Sequence, residues 1–383
     1  MLSGPFYGGQ IRPDRPDRKL FDRLAAEAGE TLISLYLPTH VRGAEINQDR
    51  IRLKNGISEA DKRLETAGLA PNDRSERLAS VQSLLEDEEF WRHQGHGLAV
   101  FVDDEGEAAT ASLDYEPAEL WVVAPVFHLR LLVTSLRITE LWTLVLTKGG
   151  VRLYLVSKRT ARRAQVDLPD SFDDVNWFVD REKQRQRHPD RVGTNRARHG
   201  HEGGYEEEDL KRFLRAVSDA LPNSGSAPLV VLGDDNLAAR FANISEREVV
   251  SPENSGIIDV DDTTEILEKM TPVIESYESS QIESQAEKTR DQLGTGEAIT
   301  VLEEGLEAAV TGRISTLVIH RDADPVWGTF DPASLMVSRH DQREEAEVDL
   351  LDRLVVHAMG TGAEVNTTDS PVEGHVFVAI PRF

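Results

Sequence analysis

No cysteine occurs anywhere in the 383 residues. That excludes disulfides, thiol nucleophiles and thiolate metal sites, and it fits a reducing compartment. Long apolar runs are missing too, since nothing approaches the ~18 uninterrupted apolar residues of a membrane span. The opening MLSGPFYGGQIRPDRPDR lacks the apolar core of a secretory signal. The expectation is a cytoplasmic protein with no membrane partner. Aromatic residues make up only 6%, enough for ordinary cores but not for an aromatic-rich binding surface. Positive charge is scarce as well: 43 Lys and Arg stand against 68 Asp and Glu, a net charge of −25. A general affinity for polyanions is therefore excluded, and self-repulsion is expected. There is no Gly-x-Ser-x-Gly elbow of a serine hydrolase and no phosphate-cradling Gly-x-x-x-x-Gly-Lys-Ser/Thr loop. No cofactor is implied.

Against this background one stretch has the opposite sign. Between Arg181 and His201 the sequence places Arg181, Lys183, Arg185, Arg187, Arg191, Arg196 and Arg198 against only Glu182 and Asp190, with His188, His199 and His201 among them. A focused cationic segment on an anionic body attracts and orients one phosphate-rich partner. The arginines would make charge-assisted contacts, and Asn195 and the histidines would add directional hydrogen bonds. The competing reading is a solvated loop whose arginines pair with neighbouring carboxylates, and composition leaves both open. Lys158, Arg159, Arg162 and Arg163 flank an earlier hairpin and would extend the basic surface.

Three further motifs have weaker chemistry. His199-Gly200-His201-Glu202 supplies two metal-type ligands but no third and fourth at suitable spacing, and the arginines around it repel a divalent cation. No metal is expected there. Asp167, Asp170, Asp173 and Asp174 read as a solvated acidic loop, with a nuclease metal cluster as the alternative. Gly203 and Gly204 give backbone freedom just before a helix, which serves either a flexible joint or close approach to RNA.

Hydropathy patterning predicts α/β architecture throughout. A buried-type strand over 31–38 is followed by helices over 51–67 and 74–91, with turn chemistry at 70–73, and by strands over 97–102 and 120–126. A second region opens with strands over 141–146 and 151–156 around a glycine turn, a third strand over 163–168, and the long loop 170–205. An amphipathic helix over 206–221 carries acids in its first turn, where they suit the helix dipole, and a strand over 228–232 follows. Helical sequence then runs from 264 to about 313. The remainder holds a strand over 315–320, a helix over 347–358 and a last strand over 375–380. The division expected is 1–137, 138–278 and 279–383, three α/β domains in series.

The order of these segments resembles the archaeo-eukaryotic class I release factor and Pelota superfamily, in a bacterial form. The residues that carry the likeness are SLYLPTH at 34–40, GHGLAVFV at 95–102, FHLRLL at 127–132 and LVLTKGGVRLYLV at 144–156. VDLP at 166–169 adds to them, as do Leu350-Leu351, Gly362-Ala363-Glu364-Val365 and the closing Arg382-Phe383. The resemblance implies a ribonuclease H-like middle domain and a C-terminal domain similar to kink-turn RNA-binding ribosomal proteins. It also implies ribosome, rRNA and tRNA as partners, by binding in the A site during rescue or quality control of translation. A partner GTPase is left unspecified. In the family, the loop after the VDLP-like strand carries Gly-Gly-Gln into the ribosomal catalytic centre for peptidyl-tRNA hydrolysis. Here the corresponding loop ends HGHEGGY, with Tyr205 in the approximate place of glutamine, so hydrolysis would fall to His199, His201, Gly203 and Gly204. The only Gly-Gly-Gln, at Gly8-Gly9-Gln10, lies in the N-terminal tail, and 69–74 lacks the stop-codon reading Asn-Ile-Lys-Ser. Two alternatives follow: a non-catalytic RNA-binding adaptor of the same architecture, and a metal-dependent nuclease built on the ribonuclease H-like domain.

Overall fold

The computed structural model describes residues 15–40, 45–92, 94–147, 149–169, 202–222, 227–252, 256, 258–340 and 347–382. The chain clusters into two compact units, one built from 1–137 with 282–383 and the other from 138–281. No helix among the described residues is long and apolar enough to cross a membrane.

The first segment runs α1 (Arg18–Ala26), β1 (Ala28–Pro38), α2 (Ile46–Thr66), α3 (Pro71–Leu84), α4 (Glu88–Arg92), β2 (Gly97–Val102), β3 (Ala108–Leu113), β4 (Leu120–Val126) and α5 (Val133–Leu136). Its four strands form an antiparallel sheet in the order β3-β2-β1-β4. The central strand β1 is buried on both faces, which explains its unbroken apolar run. Ile33, Leu35 and Leu37 pack with Leu53, Ile57, Leu64, Leu78 and Val81 of α2 and α3, while Leu32 and Tyr36 face the other side. The turn expected at 70–73 is instead the start of α3. Pro71 occupies the first helical turn, where its fixed φ suits the helix and its missing N–H costs nothing. The single helix expected over 74–91 is two, because Asp87 interrupts it and accepts the Phe90 N–H at 2.9 Å. Strand β3, absent from the sequence reading, is AATASL, whose small side chains carry little strand signal.

The second unit contains β5 (Leu141–Leu146), β6 (Val151–Val156), β7 (Ala161–Arg163), α6 (Glu202–Ala220), β8 (Leu229–Gly233), α7 (Asp235–Ala242) and β9 (Val249–Val250), and α8 (Thr263–Thr295) begins in it. Its sheet order is β7-β6-β5-β8-β9. β6 runs antiparallel to both of its neighbours β5 and β7, and β8 and β9 run parallel to β5. In order of appearance this is 3-2-1-4-5, the ribonuclease H-like topology that the resemblance implies. One face packs on Phe213, Leu214 and Val217 of α6 and Phe241 of α7. The other packs on Ile266, Met270 and Ile274 of α8. The third strand stops at Arg163, short of the 163–168 expected; beyond it Ala164 N–H still bonds Leu153 O. Gly233 ends β8 at φ +124°, where a Cβ would lie 2.3 Å from Leu146 O.

The last segment holds α9 (Leu302–Val310), β10 (Ile314–His320), β11 (Trp327–Asp331), β12 (Met336–Arg339), β13 (Val348–Asp349), α10 (Leu350–Gly360), β14 (Glu364–Thr368) and β15 (Phe377–Pro381). β10 is central, parallel to β14 and antiparallel to β15, and β12-β11-β13 makes a small separate sheet. The helical stretch expected from 264 to 313 breaks near Gly294 and Gly296 into α8 and α9. The helix expected from 347 begins at Leu350, because Asp349 caps it by accepting the Leu351 N–H. Leu306, Leu317, Leu350, Leu354 and Phe377 share one core with Leu32, Tyr36, Phe101, Phe127 and Leu129. The segments 1–137 and 279–383, read from sequence as separate domains, thus meet in a single apolar interior.

Candidate functional site

The cationic segment joins β7 to α6, so it leaves the edge strand of the ribonuclease H-like sheet. Arg181, Lys183, Arg185, Arg187, His188, Arg191, Asn195, Arg196, Arg198, His199 and His201 lie outside the described residues, as does Gly8-Gly9-Gln10. Gly203 and Gly204 are described, and they correct an expectation: α6 starts at Glu202, so both glycines sit in its first turn and not in the loop.

The second basic group is engaged with the protein's own acids. Lys158 pairs with Glu278 at 2.7 Å, Arg162 with Glu140 at 2.6 Å and Arg163 with Asp261 at 3.5 Å. The Arg159 backbone N–H bonds Ser157 Oγ at the turn. Arg162 and Arg163 are more than half exposed, so each pair is worth about 0–1 kcal/mol. Of the acids Asp167, Asp170, Asp173 and Asp174, the last three lie outside the described residues. Neither β5 nor β8 carries a carboxylate, Asp234 spends its side chain capping α7, and no group of three or more metal-type ligands occurs among the described residues.

A polar cluster that sequence reasoning missed lies inside the other unit. His128 Nε2 meets Asp349 Oδ2 at 3.1 Å, and Arg130 Nη2 reaches the same oxygen at 3.3 Å. The backbone N–H groups of Leu129 and Arg130 both donate to Asp352 Oδ1 at 2.6 Å. Arg353 holds Asp352 Oδ2 at 2.5 Å and donates to Phe127 O at 3.0 Å. Arg130 also donates to the carbonyls of Arg321 and Ala323. Tyr36 OH closes the cluster on His128 O at 2.6 Å, and Ser34 Oγ accepts the His128 N–H.

Every one of these side chains is almost fully buried. Burial pushes the Asp349 carboxyl up, but the His128 hydrogen bond and the charges of Arg130 and His128 outweigh it, leaving the group below its ordinary range. Burial, with Asp352 nearby, pushes the Tyr36 phenol well above its usual value, so it stays a donor. Removing one member of such a buried pair costs about 3–5 kcal/mol. With no exposed reacting atom, the cluster is a joint that fixes 127–132 against 349–353. Its signal was the charged residues inside two otherwise apolar runs.

Comparison with known proteins now bears on the class. Residues 140–313 match the family described as Bacterial archaeo-eukaryotic release factor family 3. No curated protein matches the chain. Among solved structures, the archaeal translation termination factor aRF1 is 14% identical, with 95% of this chain and 96% of that one covered at a TM-score of 0.24. Archaeoglobus fulgidus Pelota is 11% identical, covering 75% and 79% at a TM-score of 0.34. S. cerevisiae Dom34, a translation termination-like factor involved in RNA quality control pathways and interacting with Hbs1, is 12% identical, covering 75% and 79% at 0.34.

Proposed function

We propose that this protein binds the ribosome in the A site, as a release factor-like body acting in rescue or quality control of stalled translation. The observation that carries the reading is the position of the cationic segment 181–201 between β7 and α6, inside the family-matched, ribonuclease H-like unit. A molecule with net charge −25 that concentrates its positive charge there is suited to one oriented contact with RNA phosphates. Arg162 and Arg163, held only by exposed ion pairs, extend that surface.

The test is co-sedimentation of the purified protein with ribosomes at low salt. Wild type is expected to pellet with ribosomes. Reversing Arg185, Arg187, Arg196 and Arg198 to glutamate is expected to abolish pelleting, and unchanged association would clear the segment of this role. Binding should weaken as salt rises, with a slope of about 0.7–0.9 per phosphate contact.

For the chemistry, the adaptor reading is favoured by one feature: Gly203 and Gly204 belong to a helical turn, and Tyr205 stands where the family has glutamine. A helical turn fixes φ and ψ at both glycines, whereas a catalytic Gly-Gly loop uses their backbone freedom to orient water. Peptidyl-tRNA release from stalled ribosomes separates the two readings. Background release sustains the adaptor; release lost in His199→Ala or His201→Ala establishes catalysis.

A further inference from the structure

The unit built from 1–137 with 282–383 holds an open pocket of about 350 Å³ between α1 and the C-terminal ends of α9 and α10. Ligand pockets run from about 300 to 1,000 Å³, so this one suits a small molecule. Phe21 of α1, Val310 of α9 and Val356 of α10 give it apolar walls. Arg353 and His357, one turn apart on α10, supply its polar groups. Gly360 ends that helix at the pocket, and a Cβ there would meet no atom within 4 Å.

Both polar side chains have hydrogen-bonding capacity left over. Arg353 is only 8% exposed, and Nη2 alone is engaged, by Asp352 and Phe127 O. Its buried Nε makes no hydrogen bond among the described residues. A buried guanidinium with donors to spare calls for an acceptor oxygen. The His357 ring meets Phe330 edge-on at 5.5 Å, and its nitrogens make no hydrogen bond among the described residues. Burial, then the charge of Arg353, lowers its pKa, so at pH 7 the ring is neutral, with one nitrogen donating and the other accepting.

Charge then selects the ligand. Arg18 donates to Met359 O at 2.8 Å and Arg382 to Thr361 O at 3.0 Å, so guanidinium groups are anchored on both neighbours of Gly360. Asp22 pairs with Arg18 and Asp352 with Arg353, which leaves Arg382 with no carboxylate partner among the described residues. Three arginines against two aspartates make the surround cationic by one charge, on a molecule whose net charge is −25. A phosphate brings close to two negative charges and would face Asp22 and Asp352 with only one of them compensated. A wholly apolar molecule would leave the Arg353 donors unmet. We propose that this pocket binds a small free carboxylate with an aromatic or branched aliphatic body. The carboxylate meets Arg353 and His357, and the body lies against Phe21, Val310 and Val356. Because Arg353 also holds Asp352 and Phe127 O, an occupied pocket tightens the buried joint. The proposal stands apart from the ribosome reading.

Titration of the full chain with phenylacetate and with its uncharged isostere phenylacetamide, followed by ligand-detected NMR at pH 7, tests it. Wild type is expected to bind phenylacetate at least about 10-fold more tightly than the amide, since charge-assisted hydrogen bonds exceed neutral ones. Gly360→Leu places a side chain in the open space and should lose phenylacetate binding while staying folded. His357→Leu should weaken binding about 3- to 10-fold, the worth of one hydrogen bond. Phenylacetate should also raise the wild-type Tm and leave that of Gly360→Leu where it was. Equal affinity for the two probes, binding that survives Gly360→Leu, or no binding at millimolar concentration would overturn the proposal. Unchanged affinity in His357→Leu would sink it even if Gly360→Leu proved too unstable to assay.

Discussion

Asp349 caps α10 through Leu351, accepts the Val326 N–H at 3.0 Å and takes His128 and Arg130 on its other oxygen, all while fully buried. Its pKa is lower in the folded protein than in the unfolded chain, so it contributes stability that is complete above about pH 4 and is lost as pH falls through the folded value. Asp104 adds a smaller contribution of the same sign. Burial pushes it up, and hydrogen bonds from Glu30 N–H and Arg77 more than reverse that. Urea unfolding of the whole chain should therefore show stability falling below about pH 4. Asp349→Asn should flatten part of that acid limb and cost about 3 kcal/mol or more at pH 7. An acid limb identical to wild type would mean that the carboxylate is not the titrating partner. His357 works in the same direction nearer neutrality: burial, then Arg353, lowers it, so stability falls as pH drops below about 6.5 toward the folded value.

At the scale of elements, legibility followed burial. Strands covered on both faces, such as LISLYL in β1 and LVVL in β8, announce themselves as continuous apolar runs. Strand β3 does not, because alanine and serine fill its tight place in the sheet, and β11 and β12 are too short and exposed to show alternation. The candidate interface was readable as composition, since charge is a property of the segment itself. The partners of Lys158, Arg162 and Arg163 were not, because ion pairing depends on acids brought in from distant elements. The buried joint was hidden for the same reason, as His128 and Asp349 stand 221 residues apart. Gly233 gives an element-scale test. Its left-handed backbone and its approach to Leu146 O leave no room for a side chain. Gly233→Ala should destabilise the second unit by about 1–3 kcal/mol, read as a lower denaturant midpoint. An unchanged midpoint would show that the β8–α7 turn relaxes freely.

Across the whole molecule the excess of 25 negative charges predicts a salt response. Screening weakens long-range repulsion more than it weakens short buried pairs such as Arg130–Asp349. Calorimetry at low and at high sodium chloride should give a Tm that rises by a few degrees; a falling Tm would show that exposed ion pairs outweigh the net repulsion. The shared interior of 1–137 and 282–383 has a further consequence for biosynthesis. His128 leaves the tunnel 221 residues before its partner Asp349 does, a delay of about 10–45 s at ordinary elongation rates. Throughout that interval the nascent N-terminal sheet has one uncovered apolar face, while the intervening unit is already free to mature. This favours an order of assembly in which the inserted body finishes first and the body that brackets it finishes last.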